Sequence, residues 1–208
     1  MSAGIDEEET EPGANAIELA RARNGRHVEI RRATDKGRGV YALRRFAAGE
    51  TVIVGLVARP ETQRTVYSIQ LDWDRHALFE EPAVLINHSC EPNVVVSGNR
   101  FGGYDFIALH DIETDEEIAF DYATTEFESI AVPNCICGAG ACRGSSGGFV
   151  KLPADHPLRS GGLVAPYLRQ EAAPAPPRND GEKASPPIAG RAKPASAKDR
   201  RSAEELTK

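Results

Sequence analysis

Four cysteines constrain the fold of this 208-residue chain more than any other feature. Cys90 stands in the run NHSCEPN, whereas Cys135, Cys137 and Cys142 share the run CICGAGAC. Four cysteines can form two disulfides, remain free thiols or bind one metal ion. Zinc prefers four thiolates that include closely spaced pairs, so the spacing favours a zinc site. The N-terminus shows no export signal, from which we expect reduced thiols and a cytosolic protein.

Short alternating apolar segments, separated by turn signals, predict a mostly β domain of small sheets. Strands are expected at 51–57, 67–71, 94–96, 104–108 and 118–122, the last ending at Tyr122. The apolar run 83–86 is expected to be a strand whose end presents the polar cluster that follows. Residues 75–81 fit a short strand or a turn, and residues 15–24 a helical or extended lead-in. No helix is firmly predicted in the core.

Composition limits the possible partners. No apolar run is long enough to span a bilayer, so we expect no membrane interaction. The net charge of −6 argues against direct nucleic-acid binding and is compatible with a basic peptide substrate. Residues 1–14 are acidic, and residues 171–208 are rich in proline and alanine. Both ends are predicted to be disordered.

Three motifs occur in one order: NHSCEPN, a strand ending in FDY, and C-x-C-x4-C. In this order they resemble the SET-domain protein lysine methyltransferases over residues 26–150. The resemblance implies the SET-domain β-clip or pseudoknot fold, made of small sheets with short helices. It also implies a SET domain at 26–123, a post-SET zinc-binding segment at 131–150 and a short extension at 151–170. One structural zinc is then expected on Cys90, Cys135, Cys137 and Cys142.

The resemblance also assigns roles around S-adenosylmethionine. The cofactor-binding residues it implies are Lys36, Gly37, Arg38, Gly39, Asn87, His88, Tyr122 and Phe149, the last against the adenine. Taken alone, the glycine-bracketed segment is an ordinary tight turn and His88 an ordinary buried histidine. Arginine and an aromatic often precede the Asn-His pair in the family, whereas Val84 and Leu85 stand there in this chain.

Three aromatic residues are candidates for catalysis. By resemblance, the hydroxyl of Tyr122 aligns the lysine amine with the methyl group. Tyr67 lines the lysine channel, and Phe120 tunes how many methyl groups are added, its phenyl ring leaving room for di- or trimethylation. Without the resemblance, Tyr122 and Tyr67 read as packed aromatics of strands.

The predicted activity is methyl transfer from S-adenosylmethionine to the ε-amine of a lysine in a histone, a histone-like protein or another basic protein. One alternative is a catalytically silent SET module that binds a cofactor or a partner. Another is a zinc-stabilised interaction module unrelated to methylation. The expected location is the cytoplasm, with a bacterial cytosol favoured by the Ala- and Arg-rich tails, or the nucleus in a eukaryote.

Overall fold

The computed structural model describes residues 13–33 and 35–169, which form three small β-sheets with short helices between them. This architecture confirms the predicted mostly β class. None of the described helices is both long and apolar enough to cross a membrane.

The strands are short, and their order in the sheets differs from their order in the chain. The four-stranded sheet has the order β1-β2-β10-β7, and the two three-stranded sheets have the orders β3-β9-β8 and β4-β6-β5. The strands are β1 Val28–Ala33, β2 Gly37–Ala42, β3 Thr51–Val54, β4 Val57–Glu61, β5 Ile69–Asp72, β6 Arg75–Phe79, β7 Asn87–His88, β8 Val94–Gly98, β9 Tyr104–Ala108 and β10 Glu117–Phe120.

Within the described part of the chain, two α-helices and four 3-10 turns connect and flank the sheets. The helices are α1 Ala14–His27 and α2 Pro157–Ser160, and the 3-10 turns are Ala83–Leu85, Tyr122–Thr124, Phe149–Lys151 and Pro166–Leu168.

Strand β10 brings two distant parts of the sequence together. It pairs antiparallel with β2 and parallel with β7, so that Ala119 is opposite Asn87 and Phe120 opposite His88. Asn93 extends the contact, because its side chain accepts a hydrogen bond from the Ala119 amide at 2.9 Å and donates to the Glu117 carbonyl at 2.8 Å. The chain from β10 to Tyr122 therefore passes beside the NHSCEPN segment, as expected from the sequence.

The core lies between the sheets and is closed by the C-terminal part of the described chain. Phe46, Phe106 and Ile118 are completely buried, and Val164 and Leu168 join the same cluster. Tyr167 is also buried, and its hydroxyl donates to the Thr125 carbonyl at 2.5 Å. Residues 151–169 are thus part of the packed body.

The lead-in segment is a regular helix and longer than predicted. Helix α1 begins at Ala14, so the predicted disordered segment 1–14 is too long by at least that residue. Few apolar side chains hold α1 in place; Asn24 instead makes two hydrogen bonds to the backbone of Val54, at 2.8 and 3.0 Å. A helix that is attached through a polar side chain needs no regular repeat of apolar residues, so the sequence gives no clear signal for it. Residues 1–12 of that segment and the predicted tail at 171–208 lie outside the described residues.

Two predicted strands are wrong in detail. The expected strand 51–57 is interrupted because Gly55 passes close to its neighbours: a Cβ there would lie 2.4 Å from the Tyr104 carbonyl and 2.9 Å from the Phe79 ring. The run 83–86 contains the 3-10 turn Ala83–Leu85, and only Asn87–His88 are extended. A buried turn and a buried strand both need continuous apolar residues, which is why the sequence pattern could not separate them.

Candidate functional site

A cavity of about 610 Å³ opens where β7 and the end of β10 lie side by side. Ten of the residues singled out in the sequence line it: Lys36, Gly37, Arg38, Tyr67, Asn87, His88, Phe120, Tyr122, Cys135 and Cys137. The volume is in the range of small-molecule sites. The parallel pairing of β7 with β10 is what places the Asn-His pair and Tyr122 on one cavity.

The prediction that Tyr122 ends a strand is wrong: β10 ends at Phe120, and Tyr122 begins the 3-10 turn that follows. Its hydroxyl donates to the Ile86 carbonyl at 2.8 Å, which fixes the ring and leaves the oxygen lone pairs available. Burial raises the pKa of Tyr122 above its usual value, so the hydroxyl stays protonated at neutral pH. The Phe120 ring packs against it, with ring centroids 4.7 Å apart.

Asn87 connects the glycine-bracketed turn to β10. Its amide nitrogen donates to the Arg38 carbonyl at 3.1 Å and to Glu117 Oε1 at 2.8 Å, while its amide oxygen accepts no hydrogen bond from the described residues. Gly39 lies behind this amide, outside the cavity wall, and a Cβ there would be 2.8 Å from Asn87 Nδ2. Lys36 forms an ion pair with Glu117, so its charge is already partnered.

His88 is buried, and its ring is directed at the cysteines. The Tyr122 amide donates to Nδ1 at 3.2 Å, and Nε2 lies 3.4 Å from Cys90 Sγ. Burial lowers the pKa of His88 to about 4, so the ring is neutral at pH 7. Because Nδ1 is the acceptor, the proton belongs on Nε2, facing the sulfur. Any contact of His88 with a ligand in the cavity would thus be made by its backbone.

The four cysteines converge although residue 90 is far from the others in sequence. Their Sγ atoms all lie within 4.8 Å of one another, and none forms a disulfide. Backbone amides point at two of the sulfurs: the Arg143 amide at Cys90 and the Gly144 amide at Cys142, each at 3.4 Å. Amide donors around a compact set of four sulfurs suit thiolates that bind one zinc ion.

Two aromatic assignments need correction. Tyr67 precedes β5 and is 64% exposed, so it is not a packed strand aromatic, although it does line the cavity. Phe149 is 1% exposed and belongs to the core, with the Arg159 guanidinium 4.3 Å from its ring centroid. It does not line the cavity, so the structure does not support an adenine contact. A phenylalanine that follows two glycines carries no sequence signal that separates these two environments.

Three charged residues of this region were not singled out from the sequence. Glu126 is buried on the cavity wall, four residues after Tyr122. Asp121 is fully buried and accepts a hydrogen bond from the Arg143 guanidinium at 2.7 Å. The available signals were the spacing of Glu126 from Tyr122 and the position of Arg143 directly after Cys142. Neither is specific without the fold.

Comparison with protein families identifies the central segment. Residues 37–123, less than half of the chain, match the family model of the SET domain. Among curated proteins, the histone-lysine N-methyltransferase trr of Drosophila melanogaster is 34% identical over 137 residues, which cover 56% of this chain and 6% of that protein. The histone-lysine N-methyltransferase ASHH2 of Arabidopsis thaliana is 37% identical over 68 residues, covering 30% of this chain and 4% of its own length.

Solved structures give weaker likenesses. KRYPTONITE in complex with mCHG DNA and SAH has a TM-score of 0.47 and 23% identity, covering 57% of this chain and 28% of that chain. The methyltransferase domain of human histone-lysine N-methyltransferase SETMAR has a TM-score of 0.46 and 19% identity, and the match covers 58% of this chain and 57% of that chain. At these scores, no conclusion about this chain rests on them. The chain spans less than a tenth of the two curated relatives.

Proposed function

We propose that this chain is an S-adenosylmethionine-dependent methyltransferase that acts on the ε-amine of a lysine in a protein. One observation carries the proposal: within the SET-domain segment, the β7–β10 pairing places Asn87 and Tyr122 on one cavity. The curated relatives are named histone-lysine N-methyltransferases, which supports the same reaction class. We extend the proposal to a basic protein substrate and a cytoplasmic location, with neither membrane nor nucleic acid as a required partner.

The cavity residues fit the cofactor. Asn87 offers an unused amide oxygen, which suits an ammonium group, and the turn from Lys36 to Arg38 offers backbone beside it. S-adenosylmethionine, when bound, supplies a methyl group on a sulfonium centre. Lys36 and Arg38 are paired with Glu117 and Glu81, so we assign their contribution to backbone groups.

Tyr122 would act by position. Its hydroxyl donates its one hydrogen bond to the Ile86 carbonyl. The oxygen can therefore only accept hydrogen bonds, from the lysine amine or from polarised C–H groups. Being protonated, it does not serve as a base. Direct displacement at carbon needs in-line geometry above all, and a fixed ring provides it. Phe120 adds an apolar wall next to Tyr122, which helps to exclude water.

The cysteine cluster would hold one structural zinc. Cys90, Cys135, Cys137 and Cys142 supply four thiolates, which leave no open position for chemistry. Cys135 and Cys137 also line the cavity, so a metal there would fix one of its walls. We therefore propose residues 131–150 as a post-SET segment that completes the SET domain, and residues 151–169 as an extension.

Transfer of a labelled methyl group to a bulk protein mixture, followed by mass spectrometry of methylated lysines, tests the proposal. Tyr122→Phe removes one hydroxyl at the cavity, and Tyr41→Phe makes the same change on β2, away from it. We expect Tyr122→Phe to bind cofactor normally and to be slower in single-turnover methylation by about a hundredfold or more. Tyr41→Phe should match the parent. A folded parent that binds cofactor and transfers no methyl group would favour the silent module.

A further inference from the structure

Among the residues that the structure describes, the carboxyl group of Glu126 is in no ion pair, and the positive charge of Arg64 acts on it only from a distance. The residue is 6% exposed and lines the cavity, and its Oε1 accepts the Gln70 amide at 2.8 Å. A buried carboxylate without a counter-charge is costly, and a cation placed beside it relieves that cost.

A single turn of the backbone joins Glu126 to Tyr122. The Glu126 amide donates to the Tyr122 carbonyl at 2.9 Å, the spacing of a helical turn. Both residues line the cavity, and the Gln70 backbone amide, on strand β5, donates to the Glu126 carboxylate and fixes it.

We propose that Glu126 determines specificity for lysine by binding the ε-ammonium group of the substrate side chain as it enters the cavity beside Tyr122. This inference rests on the proposed function and deepens it. Recognition of the charged form precedes reaction of the neutral form: the ammonium group must first lose its proton to solvent. The neutral amine would then take the methyl group, the sulfonium would leave as a thioether, and the methylated amine would carry the positive charge. A fixed carboxylate therefore strengthens binding of the substrate and has less effect on the rate of the chemical step.

The other charged groups near Glu126 do not neutralise it. Arg64 lines the cavity, but its guanidinium donates to the Glu128 carbonyl and lies 3.9 Å from the Glu128 carboxylate. The hydroxyls of Tyr104, Tyr122 and Tyr167 are protonated at neutral pH, because burial raises the pKa of each. Glu126 is thus the buried negative charge on this part of the wall.

Burial raises the pKa of Glu126 to about 7. A carboxyl group is neutral below its pKa and negative above it. Binding of the ammonium group should therefore strengthen as the pH rises through about 7, while the lysine itself stays charged up to about pH 10. The KM for the lysine substrate should fall between pH 6 and pH 8.

Steady-state methylation of the peptide identified in the lysate experiment tests this role. Glu126→Gln keeps an oxygen that can accept the Gln70 amide and removes only the charge. Glu128→Gln is the matched control, with a side chain that is 63% exposed. At pH 8 we expect the KM of Glu126→Gln to rise roughly tenfold, with kcat within about threefold of the parent and cofactor Kd unchanged. At pH 6 the difference in KM should largely disappear.

Three results would overturn the role of Glu126. One is a parent-like KM in a folded Glu126→Gln variant, and another is an equal increase in Glu128→Gln. The third is a weaker cofactor Kd with an unchanged KM for the peptide, which would place the sulfonium rather than the lysine at the carboxylate. A parent that methylates no lysine would refute the proposed function itself, which separates the two failures.

Discussion

The buried carboxyl group of Glu126 should make the stability of this protein depend on pH. Burial raises its pKa from 4.5 to about 7, so the folded state binds this proton more tightly than the unfolded state. The stabilisation is fully present below pH 4.5 and is lost as the pH rises through about 7. Glu126 should therefore weaken the fold at pH 8 and have almost no such effect at pH 4.5.

The structure sets the size of this effect. Each unit of difference between folded and unfolded pKa is worth about 1.36 kcal/mol, so the values 4.5 and about 7 correspond to roughly 3 kcal/mol. Glu126 is 6% exposed, so solvent does little to reduce the cost of its negative charge. For a domain whose total stability is about 5–15 kcal/mol, that is a large fraction.

Urea unfolding of zinc-loaded parent and Glu126→Gln at several pH values measures the difference. At pH 8 the free energy of unfolding of Glu126→Gln should be up to about 3 kcal/mol higher than that of the parent. The two free energies should converge towards pH 5. Glu128→Gln should follow the parent at every pH, because its side chain is largely exposed. Parallel curves for parent and Glu126→Gln would show that this carboxyl group titrates normally, and the reasoning would fail.

Three further predictions concern the four cysteines, the side-chain amide of Asn87 and the glycine at position 39. Purified protein should contain one zinc per chain, and Cys142→Ser should lose most of it, as measured by metal analysis; a metal-free parent with intact disulfides would contradict this. Asn87→Ala should weaken S-adenosylmethionine binding by about 1–3 kcal/mol in calorimetry, and an unchanged Kd in a folded variant would reject the role of its amide. Gly39→Ala should lower the free energy of unfolding by about 0.5–1.5 kcal/mol, because the new Cβ would displace the ends of the Asn87 and Glu117 side chains, 2.8 Å away, from their mutual hydrogen bond, whereas Gly25→Ala, with open space around it, should not.

The fold class and the position of the site could be predicted because they depend on features that are local in sequence. Alternation of apolar residues indicates strands, and the segment NHSCEPN has a distinctive composition. The cysteine spacing adds a long-range constraint, since four sulfurs can share one metal ion only if Cys90 approaches Cys135. The structure brings these sulfurs together, and β7 and β10 meet as a result of the same chain path.

The remaining features depend on contacts between distant segments, which no local pattern records. Gly55 interrupts a strand only because the Tyr104 carbonyl passes beside it. Phe149 is a core residue because the Glu126 backbone carbonyl accepts its amide and the Arg159 guanidinium covers its ring. The unusual environment of Glu126 likewise comes from Gln70, on the distant strand β5, and from burial by the surrounding fold.

The turn that begins at Tyr122 connects the cysteine cluster to the cavity. Its amide donates to His88 Nδ1, and the opposite nitrogen of that ring faces Cys90 Sγ at 3.4 Å. Its hydroxyl donates to Ile86, immediately before β7, and its carbonyl accepts the Glu126 amide at 2.9 Å. Tyr122 is therefore fixed from three directions, one of which leads through His88 to the sulfur of Cys90. Because a zinc ion on Cys90 would restrain that sulfur, metal binding and the orientation of the Tyr122 hydroxyl should be coupled through a single neutral imidazole.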